Sequence, residues 1–224
     1  MIVRELVGRA VVPGGGEELR LFRRGANFMI VADRNELMNS RMSGSEEALA
    51  AMSVERLAPR AAPHLLIGGY GMGFTLRAAL AALPQGGRVT VAELVPEIID
   101  WARGPMADLT AGCLDDPRVE LVIGDVAALI AGSASEFDAI LLDVDNGPDG
   151  LTRAANDRLY SMRGLDAAKA ALRPGGILAV WSAAPDGKFA KALNEAGLRV
   201  DAVVVRARKN GKGARHVIWF AAKR

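Results

Sequence analysis

His64-Leu65-Leu66-Ile67-Gly68-Gly69-Tyr70-Gly71-Met72-Gly73-Phe74 is the stretch whose reading decides the fold. Leu65-Leu66-Ile67 is apolar with no polar alternation, as a parallel strand covered by helices on both faces must be. Glycines at 69, 71 and 73 let the backbone turn sharply and approach a ligand with no Cβ in the way. From Phe74 the spacing turns helical. Strand, glycine turn and helix in that order predict the first unit of a doubly wound α/β domain, whose ligand lies at the carboxyl edge of the sheet.

The alternation continues on the carboxyl-terminal side. Strands are expected at 88–93, 120–123, 137–143, 176–182, 199–206 and 216–221, and helices at 74–83, 96–103, after Asp125, at 156–172 and at 188–196. Lys209-Asn210-Gly211-Lys212-Gly213 favours a hairpin, so the sheet is expected to end in an antiparallel pair. On the amino-terminal side, 1–42 reads as a small antiparallel β region, with strands at 2–12, 18–23 and 27–32 between turn signals. A helix over 46–57, capped by Ser43 or Ser45, opens the α/β domain of 43–224.

With 50% hydrophobic and 24% charged residues in 224, the chain is neither disordered, collagen-like nor a disulfide scaffold. Lys+Arg 28 against Asp+Glu 26 is too balanced to argue for a nucleic-acid or membrane partner. The basic cluster Arg206, Arg208, Lys209, Lys212 and Arg215 has no interleaved aromatic residue to stack on bases and reads as a solvated tip. Glu5 interrupts what a secretory signal would need as an apolar run, and no apolar stretch has bilayer length; a cytoplasmic protein is expected. One cysteine, Cys113, and two distant histidines, His64 and His216, offer no metal-ligand spacing, so no metal is expected.

Four successive strands end in residues of ligand type. After the glycine turn comes Glu93, placed to accept from both ribose hydroxyls of a nucleoside. Asp125 follows the third strand, where an acceptor could meet an exocyclic amine. Asp143 and Asp145 close the fourth. Each alone could be a helix cap or a solvated turn; their recurrence at one topological position argues for a site. Position 74 or 76, where a dinucleotide fingerprint wants a third small residue, holds Phe74 or Leu76, so the turn suits a nucleoside better than a pyrophosphate and counts against a nicotinamide-dependent oxidoreductase.

The order of these motifs resembles class I S-adenosylmethionine-dependent transferases, with their Rossmann-like methyltransferase sheet. Within them it resembles the spermidine synthases, which are aminopropyltransferases. The resemblance runs through Met38-Asn39-Ser40, Ser45-Glu46-Glu47-Ala48-Leu49, the glycine turn, Ala92-Glu93-Leu94-Val95-Pro96-Glu97, Gly124-Asp125, Gly147-Pro148, Leu159-Tyr160-Ser161 and Leu172-Arg173-Pro174-Gly175-Gly176. It implies that Gly69, Gly71 and Gly73 shape the pocket for S-adenosylmethionine or its decarboxylated form, that Glu93 holds the ribose and that Asp125 meets the adenine. Asp143 is implied as the acceptor of the amine proton, with Asp145, Glu46 and Tyr160 on the side of the amine. Methyl transfer to another small acceptor is the alternative on the same frame, and a homodimer is implied by the family. Departures concentrate on the amine side: Gly71 or Met72 stands where the family's turn has aspartate, Asn146 where it has a second acidic residue, and Ser45-Glu46 where it has Tyr-His or Tyr-Gln.

Overall fold

The computed structural model describes residues 3–15, 17–144 and 157–223. Among these, two sheets form. The first is an antiparallel meander of β1 (Glu5–Val11), β2 (Glu18–Arg24), β3 (Asn27–Ala32) and β4 (Asn35–Asn39). The second begins after α1 (Gly44–Arg56) and contains β5 (His64–Gly68), β6 (Arg88–Glu93), β7 (Val119–Ile123), β8 (Phe137–Leu142), β9 (Leu172–Ser182), β10 (Arg199–Arg206) and β11 (Arg215–Ala222) in the order β10-β11-β9-β8-β5-β6-β7. From β7 to β9 neighbouring strands are parallel, while β11 runs antiparallel to both β9 and β10.

The period of two along each central strand assigns its residues to two apolar layers. Leu65, Ile67, Ala139 and Leu141 face a layer built with Leu49 of α1, Phe74 and Leu76 of α2 (Phe74–Ala82), and Ile98 and Trp101 of α3 (Pro96–Arg103), which the short α4 (Ala107–Thr110) follows. Leu66, Ile140 and Leu142 face the other, built with Ile130 of α5 (Val126–Gly132), Leu165 of α7 (Met162–Ala171) and Phe189 and Leu193 of α8 (Gly187–Glu195). Leu21 and Ile30 of the meander belong to the first layer, so the small sheet closes over one face of the large one. Its attachment has a specific device: Trp101 occupies the space that a side chain at Gly8 of β1 would fill.

Three local features differ from what the sequence predicts. β4 has a polar, strand-poor sequence, Asn-Glu-Leu-Met-Asn, and forms by pairing with β3. The helix expected over 156–172 is broken, since Ser161 turns its hydroxyl to donate to the Arg158 carbonyl and accept from Gly164 N–H, ending α6 (Asp157–Tyr160) and capping α7. Ser43 is the N-cap of α1 but makes no side-chain cap hydrogen bond.

At the amino ends of the central strands, Asp138 of β8 is fully buried. Its carboxylate accepts from the His64 backbone N–H at 2.7 Å and pairs with Arg173 at 2.8 Å and Arg60 at 2.9 Å, tying β5, β8, β9 and the segment after α1. Asp138→Ala should cost about 3 kcal/mol, because a buried N–H is orphaned and two cations lose their anion. Urea unfolding measures this; a cost below about 1 kcal/mol would mean that the network contributes little.

Candidate active site

The strand order changes direction between β5 and β8, and at that switch the turns after the two strands diverge and leave a crevice. Gly69 enters the crevice with φ +88°, and a Cβ there would lie 2.5 Å from the Asp143 carbonyl oxygen. Gly71 has φ +55°, and a Cβ would press on the Met38 side chain descending from β4. Both the turn and the approach of the meander therefore require glycine. The cavity that results is walled on one side by the ends of β5 to β8 and on the other by apolar residues of the meander and its loops, Val12, Leu19, Ile30, Leu37 and Met38.

Glu93 ends β6 at 4% exposure. Its Oε2 accepts from Tyr70 N–H at 2.8 Å and its Oε1 from Val95 N–H at 2.9 Å, joining the glycine turn to the turn that starts α3. Burial pushes this carboxyl up, opposed by the backbone donors around it. Asp125, also on the cavity wall, caps α5 by accepting from Ala127 N–H at 2.8 Å through Oδ1. These two residues stand at the β6–β7 end.

Asp143, Glu46 and Trp181 line the β8–β9 end. Asp143 Oδ2 accepts from the Thr75 hydroxyl at 2.7 Å, and that hydroxyl also lies 3.4 Å from the Glu46 carbonyl. Burial raises Asp143 to about 6, and burial together with the neighbouring Asp143 charge raises Glu46 to about 7. Two carboxyl groups that hinder each other's ionisation hold a proton into the neutral range. Glu46 Oε2 accepts from Ser45 Oγ at 2.6 Å, and Ser45 Oγ is 2.9 Å from His216 Nδ1. The Trp181 indole packs edge-on against the His216 ring, with centroids 4.7 Å apart.

Thus Gly69, Gly71, Glu93, Asp125, Asp143 and Glu46 meet at one cavity. Gly73 does not line it: it is the left-handed N-cap of α2, where a Cβ would press on the Tyr70 ring. Tyr160 is not brought there: it ends α6 in the opposite apolar layer, its ring edge-on to Phe189. Asp145, with Asn146, Gly147 and Pro148, lies outside the described residues. The Tyr70 ring turns away from the cavity toward Cys113, Oη to Sγ 3.4 Å. His216, set aside on sequence, stands directly behind Glu46; nothing in its local sequence signals this. Among the described residues no cluster of His, Cys, Asp or Glu is arranged to hold a metal, and no helix is long and apolar enough to cross a membrane.

Residues 44–191 match the spermine/spermidine synthase domain. A polyamine aminopropyltransferase of Mycobacterium tuberculosis is 35% identical over 127 residues, covering 55% of this chain and 23% of that protein. One from Nitrosomonas europaea is 35% identical over 121 residues (54% and 35%), and putrescine N-methyltransferase 4 of Nicotiana tabacum is 36% identical over 115 residues (51% and 28%). The matched part thus amounts to about a quarter to a third of the length of these relatives. In fold, the chain is similar to the spermidine synthase of Thermotoga maritima, with a TM-score of 0.76 at 20% identity over 98% of this chain and 72% of that one. A cavity built at the strand ends where the sequence pattern placed it, and a domain match over most of the α/β part, lead to one assignment: the chain belongs to the spermine/spermidine synthase domain family.

Proposed function

We propose that the cavity binds decarboxylated S-adenosylmethionine and that the chain transfers its aminopropyl group to an amine, a step of polyamine synthesis. The observation that carries this reading is the charge of the wall. Glu17, Glu46, Glu93, Asp125 and Asp143 are on it, and among the described lining residues there is no Lys or Arg. Such a wall favours a cationic donor and a cationic acceptor, and offers no side-chain cation for the carboxylate that S-adenosylmethionine retains.

Glu93, held by backbone N–H groups of both turns, faces the cavity as the acceptor for the ribose hydroxyls. Asp125 keeps Oδ2 for the adenine amine. The acceptor amine, with a pKa near 10.4, must lose a proton before it attacks, which at neutral pH costs roughly 4 kcal/mol. Asp143, fixed through Oδ2 by Thr75, presents Oδ1 to take that proton. The nitrogen lone pair attacks the carbon attached to the sulfonium. As the C–N bond forms, the C–S electron pair returns to sulfur and methylthioadenosine leaves as a neutral thioether. The apolar face of the meander keeps water from competing.

The similarity to a putrescine N-methyltransferase supports a second reading, in which the same amine attacks the methyl carbon of S-adenosylmethionine. Incubation with putrescine and each donor in turn separates the two by product mass. Acceptance of neither donor, with no binding of methylthioadenosine, would remove both.

Asp143→Asn should lower turnover by about a hundredfold or more while changing methylthioadenosine affinity by no more than about threefold. Turnover that survives this change excludes Asp143 as the base. Proton linkage gives an independent check. Glu46 and Asp143 carry raised pKa values, so the free protein holds a proton there that a diammonium guest must displace. Putrescine binding, followed by calorimetry in buffers of different ionisation heat, should release protons near pH 6 and almost none above about pH 9. Release that is equal at both ends would show that these carboxyls do not face the guest.

A further inference from the structure

We propose that His216, acting through Ser45, is the positioning residue that holds Glu46 as an anion on the acceptor side of the cavity. The inference rests on the reading of that cavity given above and concerns which groups set the charge of its second carboxylate.

The geometry is a line of three groups. Ser45 is fully buried, and its hydroxyl lies between Glu46 Oε2 at 2.6 Å and His216 Nδ1 at 2.9 Å. A serine in the first turn of a helix ordinarily spends its hydroxyl on the helix's own N–H groups. Here it reaches instead to a ring 171 residues further along the chain. The ring plane is fixed by the edge-on Trp181 indole, itself on the cavity wall.

A hydroxyl has one proton to give, so the line has a direction. When Glu46 is ionised, Ser45 donates to Oε2 and must accept from a protonated Nδ1. When Glu46 is protonated, its O–H donates to Ser45, Ser45 donates to Nδ1, and the ring proton sits on Nε2. The tautomer of His216 is therefore tied to the charge of Glu46, and a ring held with its proton on Nδ1 favours the carboxylate. The other groups facing Glu46 are Asp143 from the turn after β8 and Thr75 from α2, with Glu47 on its own helix. Glu47 is paired with Lys209 of the β10–β11 turn at 2.9 Å. Asp143 and Glu47 oppose ionisation of Glu46; the Ser45 hydroxyl is the side-chain donor that supports it, beside the backbone N–H of Glu46 itself. Burial lowers the pKa of His216, so the ring stays neutral where Glu46 titrates.

The chain has two histidines, so a ring-nitrogen spectrum of the 15N-His protein is assignable with one variant, His216→Asn. In the unliganded protein, His216 should carry its proton on Nδ1 above the Glu46 midpoint and on Nε2 below it; Ser45→Ala should abolish that exchange. An Nε2–H ring at every pH, or a tautomer change that Ser45→Ala leaves intact, overturns the proposal. In turnover, Ser45→Ala and His216→Phe should raise the KM for putrescine at pH 7 roughly tenfold with kcat within about twofold, and move the acidic limb of kcat/KM to higher pH. His216→Asn, which keeps an N–H donor near the Nδ1 position, should restore the KM. A KM that is unchanged in Ser45→Ala, or equal in the Asn and Phe variants, counts against it. Methylthioadenosine calorimetry on each variant checks that the donor end is intact, and the tautomer measurement needs no substrate, so a failure of the transfer reading would be seen separately.

Discussion

One buried carboxylate holds the cavity together. Glu93 joins two βα turns by accepting from Tyr70 N–H with one oxygen and Val95 N–H with the other. It adds a side-chain tie to a turn whose three glycines, Gly69, Gly71 and Gly73, all take positive φ and whose backbone bonds run from Gly69 N–H to the Ala92 carbonyl and from Gly73 N–H to the Tyr70 carbonyl. Burying the charge is costly, and the raised pKa shows that the backbone donors only partly compensate. The same placement puts Glu93 on the cavity wall. The joint between the two turns and, on the proposed reading, the hold on the donor thus fall to one group, and no neutral residue of that size can accept at both oxygens.

The second constraint is the meander. Five apolar residues from it form the wall opposite the strand ends, and Leu21 and Ile30 share the apolar layer of the large sheet. The charged groups at the cavity consequently lie in a low-dielectric setting, which strengthens their interactions with a cation and penalises their charge when none is present. At the opposite, amino ends of the strands, Asp138 is buried with two arginines and a backbone donor already built around it. Carboxylates of the same kind thus stand in two settings, one with its cations built in and one that, on the proposed reading, takes them from its ligands.

How far the sequence is legible follows from the range of the interactions. Leu65–Ile67 of β5 and Ala139–Leu142 of β8 are apolar without alternation because both faces are covered, a local property that marks these strands. Residues at the carboxyl ends of the parallel strands inherit their place from the strand, which is why Gly69, Glu93, Asp125 and Asp143 could be placed on one edge without seeing it. β4 is different: its polar sequence becomes a strand only because β3 offers a free edge. The break at Ser161 depends on how one hydroxyl resolves a choice between two backbone groups. The contact of His216 with Ser45 depends on β11 inserting between β9 and β10, which brings the start of β11 beside α1. No local pattern encodes that. The place of Tyr160 likewise follows from the layer in which α6 packs, which the short motif around it does not encode.

The acidic pair also carries a consequence for stability, with a definite sign. The folded pKa values of Glu46 and Asp143 lie above their ordinary values, so what these groups contribute to stability is present at pH below the ordinary carboxylate range and is lost as pH rises through about 6 to 7. Near neutrality the empty cavity therefore works against the fold. A guest with ammonium groups reverses this, since it pairs with the ionised forms and binds only the folded state. A core built for stability alone would replace the pair by neutral residues. Retaining two carboxylates that repel each other, with a serine and a histidine arranged behind one of them, makes sense where the free energy stored in the empty site is recovered when a cation enters it.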